Sequence, residues 1–143
     1  MKLIITEEVI QTMQRHAEAT FPNECCGFFY GQDNEERQVN EVRPVDNSQD
    51  GDQRRRFEIS AFDYMKAEKY ASDQDTTLLG IYHSHPNHPA KPSEHDLKQA
   101  VPFFSYIIIS VMDGKSVDIT SWQLNQQQQF EEESIKNLSS IKS

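Results

Sequence analysis

Apolar positions along this chain follow two periods. Behind Thr6, a residue suited to cap a helix, Val9, Ile10, Met13 and Ala17 recur at helical spacing, with Glu7 and Glu8 in the first turn where the helix dipole favours them. Phe21-Pro22-Asn23 ends that helix, and Lys2–Ile5 before it is a short apolar start. Cys25 to Gly31 is then continuously apolar behind one carboxylate, Glu24, which predicts a buried strand. Residues 37–45 alternate, predicting a second strand that Pro44 places at an edge or an end. Asp46–Gln53 is a loop by composition, and Arg55–Ile59 reads as a further strand.

Ser60 with Asp63 opens a second helix through about Ser72, expected to bury Phe62 and Met65 together with Ala61 and Tyr70. Leu78, Leu79, Ile81 and Tyr82 predict a strand that carries on into His83 and His85, and Ser93 opens a short helix after a Pro-rich loop. Tyr106–Met112 predicts a central strand, Asp113-Gly114 a hairpin turn, and Val117–Leu124 the returning strand with Trp122 as packing. Gln126–Gln129 is a loop, Phe130–Ile135 a last short strand, and residues 136–143 a frayed end. Interleaved strands and helices with hairpins among them predict a single α/β domain over residues 1–135, a mixed sheet with helices packed on it.

Composition narrows the function classes. With 143 residues, 36% of them hydrophobic, the chain can bury one core. Its formal charge of −9 argues against a nucleic-acid surface, and Arg54–Arg56, the one basic run, reads as a solvated strand start rather than a phosphate site. No apolar run approaches a membrane span, and the opening MKLIITEEVIQ lacks the basic region and cleavage site of a signal peptide, so the expected location is the cytoplasm. Cys25 and Cys26 are adjacent and are expected to be free thiols in a reducing compartment.

The chemistry concentrates between Gly80 and Ala100. His83 and His85, two apart on a strand, project to one face, and Ser93 and Asp96 follow as H-x-H-x7-S-x-x-D. Two imidazoles and a carboxylate are the ligand set that a hydrolytic zinc takes, leaving a fourth position open. Ser93-x-x-Asp96 alone would be an ordinary capping box. Beside the two histidines the metal reading leads, and Ser93 can serve as both cap and site residue. His88 and His95 are expected to be exposed, and Cys25 and Cys26 to be buried strand thiols rather than ligands. By its residue type and position alone, Glu24 is a surface carboxylate.

The H-S-H-P stretch with its spaced S-x-x-D, and the P-N-E-C-C-G before an apolar strand, resemble the JAMM (MPN+) metallopeptidases, in particular their short bacterial branch. The resemblance implies an MPN/JAMM-like fold with cytidine-deaminase-like layering. It also implies one Zn2+ per chain on His83, His85 and Asp96, with Glu24 acting on the water and Ser93 helping to hold the reacting carbonyl oxygen. The implied substrate is an amide at the C-terminus of a ubiquitin-like or sulfur-carrier protein with a Gly-Gly tail, which could add as a strand to a sheet edge. Two rivals are a metal-free interaction scaffold and a zinc hydrolase of small molecules. A zinc deaminase would need His-x-Glu and Pro-Cys-x-x-Cys, which this chain lacks.

Overall fold

The structure is a computed structural model that describes residues 2–137. The elements run β1 (Lys2–Ile5), α1 (Glu7–Thr20), β2 (Cys26–Asp33), β3 (Arg37–Val45), α2 (Ala61–Asp73), β4 (Thr77–Pro86), α3 (Glu94–Gln99), β5 (Ser105–Met112), β6 (Lys115–Leu124) and β7 (Phe130–Asn137). The strands form one mixed sheet in the order β1-β3-β2-β4-β5-β6-β7, which closes through a parallel pairing of β1 with β7. Among the described residues, only β4/β5 and the two β1 pairings are parallel. The expected mixed sheet with helices is therefore present, and its closure into a barrel is a feature that strand periodicity does not encode.

Each face of the sheet carries its own core. Val9, Ile10, Met13 and Ala17 of α1 pack with Phe29, Leu79, Tyr82, Ile107 and Ile109, as the helical spacing predicts. On the opposite face Ala67 and Ala71 of α2 pack with Phe28, Tyr30 and Ile81. Along β4 the register against β2 shifts between Phe29 and Tyr30, so Leu78 and Ile81 share the α2 face while Leu79 and Tyr82 share the α1 face. From Ile81 onward the alternation is regular, and it sends His83 and His85 to the α2 face.

Two sequence expectations are corrected here. Phe62 and Met65 are 61% and 59% exposed, and Ala61 is exposed as well; the buried stripe of α2 is Ala67 and Ala71, flanked by the half-buried Tyr64 and Tyr70. The strands beneath already present the large rings of Phe28 and Tyr30, so the helix approaches with small residues, while Tyr64 and Tyr70 meet those rings edge-on at 5.4 and 5.1 Å. Arg55–Ile59 is not a strand. Phe57 and Ile59 do alternate inward, but the segment's backbone is satisfied by Ser48 and by the Asn47 side chain instead of a ladder: Asn47 Nδ2 donates to the Arg56 carbonyl at 3.0 Å, and Asn47 Oδ1 accepts from the Glu58 N–H at 3.0 Å.

The hairpin turn is as expected, with Asp113 and Gly114 both at positive φ. Pro44 lies near the end of β3, beyond Val39, the last β3 residue that β1 pairs. Strand β7 continues through Asn137, past the expected boundary at residue 135, and residues 138–143 of the expected tail lie outside the described residues. Cys25 and Cys26 are buried free thiols. Among the described residues no helix is long and apolar enough to cross a membrane.

Candidate metal centre

Two elements deliver the donor set. At the end of β4, His83 and His85 point to one face, and Ser84 between them points to the other, where its Oγ accepts the Cys25 N–H at 2.8 Å. The Ser84 N–H also donates to the Cys25 carbonyl at 3.2 Å, locking the end of β4 to the start of β2. The third donor comes from the first turn of α3. There a full capping box holds Asp96: the Ser93 N–H donates to Asp96 Oδ2 at 2.8 Å and the Asp96 N–H to Ser93 Oγ at 3.0 Å. Ser93 is thus a helix cap, and its exposed hydroxyl keeps its own proton available.

The three side chains converge. His83 Nε2 lies 3.2 Å from His85 Nε2 and 3.2 Å from Asp96 Oδ1, and His85 Nε2 lies 3.1 Å from Asp96 Oδ2. All three residues are buried, at 1%, 7% and 7% exposure. The Pro89 carbonyl lies 2.9 Å from His85 Nδ1, which places a proton on Nδ1 and turns the Nε2 lone pair inward. His83 stacks on Phe57 with ring centroids 4.5 Å apart, and its Nδ1 is buried with no hydrogen-bond partner among the described residues.

Burial pushes His83 below the ordinary imidazole range, more strongly than Asp96 raises it. Burial alone would raise Asp96, but the two histidines and the Ser93 N–H together hold it well below the usual carboxylate range. Two imidazoles and an ionised carboxylate aimed at one point suit a divalent cation, and these three residues could hold one.

Glu24 reaches this place through strand register. Cys26 pairs with His83, and β2 runs antiparallel to β4, so the chain two residues before Cys26 emerges beside His85. Its backbone is clamped from the β3–α2 loop: the Glu24 N–H donates to the Gln53 carbonyl at 2.7 Å, and Asn47 Nδ2 donates to the Glu24 carbonyl at 3.2 Å. The side chain is 5% exposed and lines a cleft of ≈ 570 Å³ together with His85, Ser93, His88, Pro89, Arg55 and Lys91. Burial, assisted by Asp96 and Asp52, pushes its carboxyl up to about 9. Glu24 is therefore no surface carboxylate, as its residue type alone would have had it.

Other candidates fall away or join the surroundings. His95 Nε2 faces the Phe57 carbonyl at 3.4 Å and contacts Gln99, is not one of the converging donors, and is half-buried rather than exposed. His88 is exposed at the cleft. Burial raises both thiols, Cys25 to about 12, and Cys26 Sγ faces the Val45 carbonyl at 3.6 Å, so neither is poised as a ligand. Sequence reasoning missed Phe57, Asn47 and the Pro89 carbonyl, because a ring stack and two backbone clamps leave no spacing signature.

The family described as prokaryotic homologs of the JAB domain matches residues 6–125. The chain is 27% identical over 123 residues to the CysO-cysteine peptidase of Mycobacterium tuberculosis, covering 85% of this chain and 82% of that one. It is 30% identical over 112 residues to a probable TtuB-protein conjugate cleaving protease of Thermus thermophilus, covering 78% and 72%. A protein of Desulfitobacterium hafniense, solved in solution, superposes with a TM-score of 0.82 at 32% identity over 94% of this chain and 92% of that one.

Proposed function

The chain belongs to the prokaryotic homologs of the JAB domain, and from that premise we propose that it is a cytoplasmic zinc peptidase. Its substrate is the amide joining the Gly-Gly end of a ubiquitin-like or sulfur-carrier protein to an amine. The observation that carries this reading is the convergence of His83 Nε2, His85 Nε2 and Asp96 Oδ at the side of a cleft that Glu24, His85 and Ser93 line. The names of the Mycobacterium relative, a CysO-cysteine peptidase, and of the Thermus relative, a probable TtuB-protein conjugate cleaving protease, support the substrate class.

His83, His85 and Asp96 would hold the zinc, which when bound supplies a Lewis acid that polarises the scissile carbonyl and lets water attack near neutral pH. The chain's own residues do the rest. Glu24 accepts the attacking water's proton at an Oε atom and returns it to the departing nitrogen, so it is base and then acid. Its buried position disfavours a free anion, which helps it hand the proton on. Ser93 Oγ, whose lone pair is engaged by the Asp96 N–H, donates its hydroxyl proton to the carbonyl oxygen as that atom gains negative charge. Phe57 and the Pro89 carbonyl keep the two imidazoles in position.

The test is elemental analysis of the protein purified without added metal, run beside His83→Ala, followed by hydrolysis of a carrier conjugate. Close to one zinc per chain in the wild type, little in His83→Ala, and cleavage only by the wild type are expected. Absence of zinc in both, even after zinc is supplied, would put the interaction scaffold in its place.

A further inference from the structure

Two basic side chains, Arg55 and Lys91, line the same cleft as Glu24, His85 and Ser93. Each is tied to the site by backbone. Arg55 lies two residues after Gln53, whose carbonyl accepts the Glu24 N–H at 2.7 Å, and the Lys91 N–H donates at 2.9 Å to the Pro89 carbonyl, the same oxygen that faces His85 Nδ1. The β3–α2 and β4–α3 loops thus each bring one cation to the chemistry.

Neither cation is committed to the protein. Arg55 reaches Asp52 only at 3.8 Å, with side chains 81% and 57% exposed, and Lys91 makes no ion pair among the described residues. The site does not need them for its own charge balance either, because ionised Asp96 is already paired with His83 and His85. Two positive charges are left at the cleft of a chain whose net charge is −9.

A substrate must supply their partner. On the acyl side, a Gly-Gly tail carries no charge near the scissile bond. On the amine side, a protein lysine brings only methylenes next to the leaving nitrogen, whereas an α-amino acid brings a carboxylate on the adjoining carbon. Resting on the peptidase reading above, we propose that Arg55 and Lys91 bind the α-carboxylate of an amino acid joined through its amino group to the carrier's tail. They would select removal of one amino acid over cleavage of protein–lysine conjugates. In that step water adds its oxygen to the glycyl carbonyl carbon, the C–N bond breaks, and the amino acid leaves with the water's proton on its nitrogen.

The test uses a ubiquitin-fold sulfur-carrier protein extended by one alanine past Gly-Gly, prepared as the acid and as the carboxamide, and the same carrier joined to a lysine side chain. The zinc-loaded wild type should cleave the acid about tenfold better in kcat/KM than either alternative, the scale of charge-assisted hydrogen bonding at an open cleft. Arg55→Gln with Lys91→Gln should bring the acid-to-amide ratio near one, and Arg55→Lys with Lys91→Arg should keep most of it. Calorimetric binding of both alanine-extended carriers to Glu24→Gln should show the same preference without turnover. A wild-type ratio near one, a ratio that survives the double glutamine variant, or a preference for the lysine conjugate overturns carboxylate recognition and leaves the peptidase reading standing. Cleavage of none of the three substrates overturns both.

Discussion

Glu24 is the residue on which the proposed chemistry and the protein's pH response both turn. Its carboxyl is raised to about 9 from an ordinary value near 4.5, chiefly by burial. A folded protein that holds this proton more tightly than the unfolded chain is most stable, in this respect, below pH 4.5. It loses that stability as the pH rises towards 9, by up to about 1.4 kcal/mol per pH unit. In protein stripped with a chelator, Glu24→Gln should therefore gain stability over the wild type as pH rises from 4.5 to 9, with little difference at the acid end; thermal denaturation across that range measures it. The same variant should keep its zinc but lose hydrolysis by about two to four orders of magnitude. Loss of zinc in Glu24→Gln would make Glu24 a ligand or a structural group instead. Burial lowers His83 and its partners lower Asp96, but both contributions are common to the two proteins and cancel in the difference.

At the scale of elements, β4 does two jobs at its two ends. Its C-terminal end carries His83 and His85, and its N-terminal end must come very close to β5. Gly80 pairs with Ser105, and a Cβ at Gly80 would lie 1.8 Å from the Ser105 carbonyl oxygen and 2.7 Å from the Phe29 ring. Backbone cannot yield as a flexible side chain can, so Gly80→Ala should cost about 3 kcal/mol in urea denaturation. Wild-type stability in that variant would mean that β4 and β5 part more easily than their packing implies. The helices show how far patterning reaches. The α1 stripe was legible, because a helix covering one face leaves a clean 3.6-residue repeat. The α2 stripe was not, because Phe62 and Met65 carry the larger apolar signal while the contact is made by Ala67 and Ala71. Which residues a helix buries depends on the shape of the surface below it, and that surface comes from β2 and β4.

For the molecule as a whole, a polar network runs across the sheet at the end away from the metal centre. Arg37 of β3 donates to Ser105 Oγ at 2.9 Å, and also to the Leu79 and Phe103 carbonyls. Gln123 Nε2 donates to Ser105 Oγ at 3.3 Å and to Glu133 Oε2 at 2.6 Å, and Ser121 Oγ donates to the other Glu133 oxygen at 2.8 Å. These contacts tie β3, β4, β5, β6 and β7 together in a closed sheet. Arg37→Met should cost about 1–2 kcal/mol, since it removes the charged donor to the buried Ser105 hydroxyl and to the Leu79 carbonyl. A double-mutant cycle of Arg37→Met with Glu133→Gln should show a coupling of about 0.5–1 kcal/mol through the shared Ser105 and Gln123. Strict additivity would mean that the network acts as separate pairs.

What the sequence determined by itself was local. His83 and His85 share a face because strand side chains alternate, Asp96 is aimed by its own capping box with Ser93, and Asp113-Gly114 turns because its residues tolerate positive φ. Resemblance to a family, not spacing, pointed to Glu24, since it stands far from the histidines along the chain. Tertiary structure decided that Glu24 is buried beside His85, through the antiparallel register of β2 on β4. It also decided that Phe57 stacks on His83 without joining a ladder, and that the sheet closes through β1 and β7. The division has one physical cause: propensity, periodicity and capping act over a few residues, whereas register, closure and burial depend on which distant segments meet.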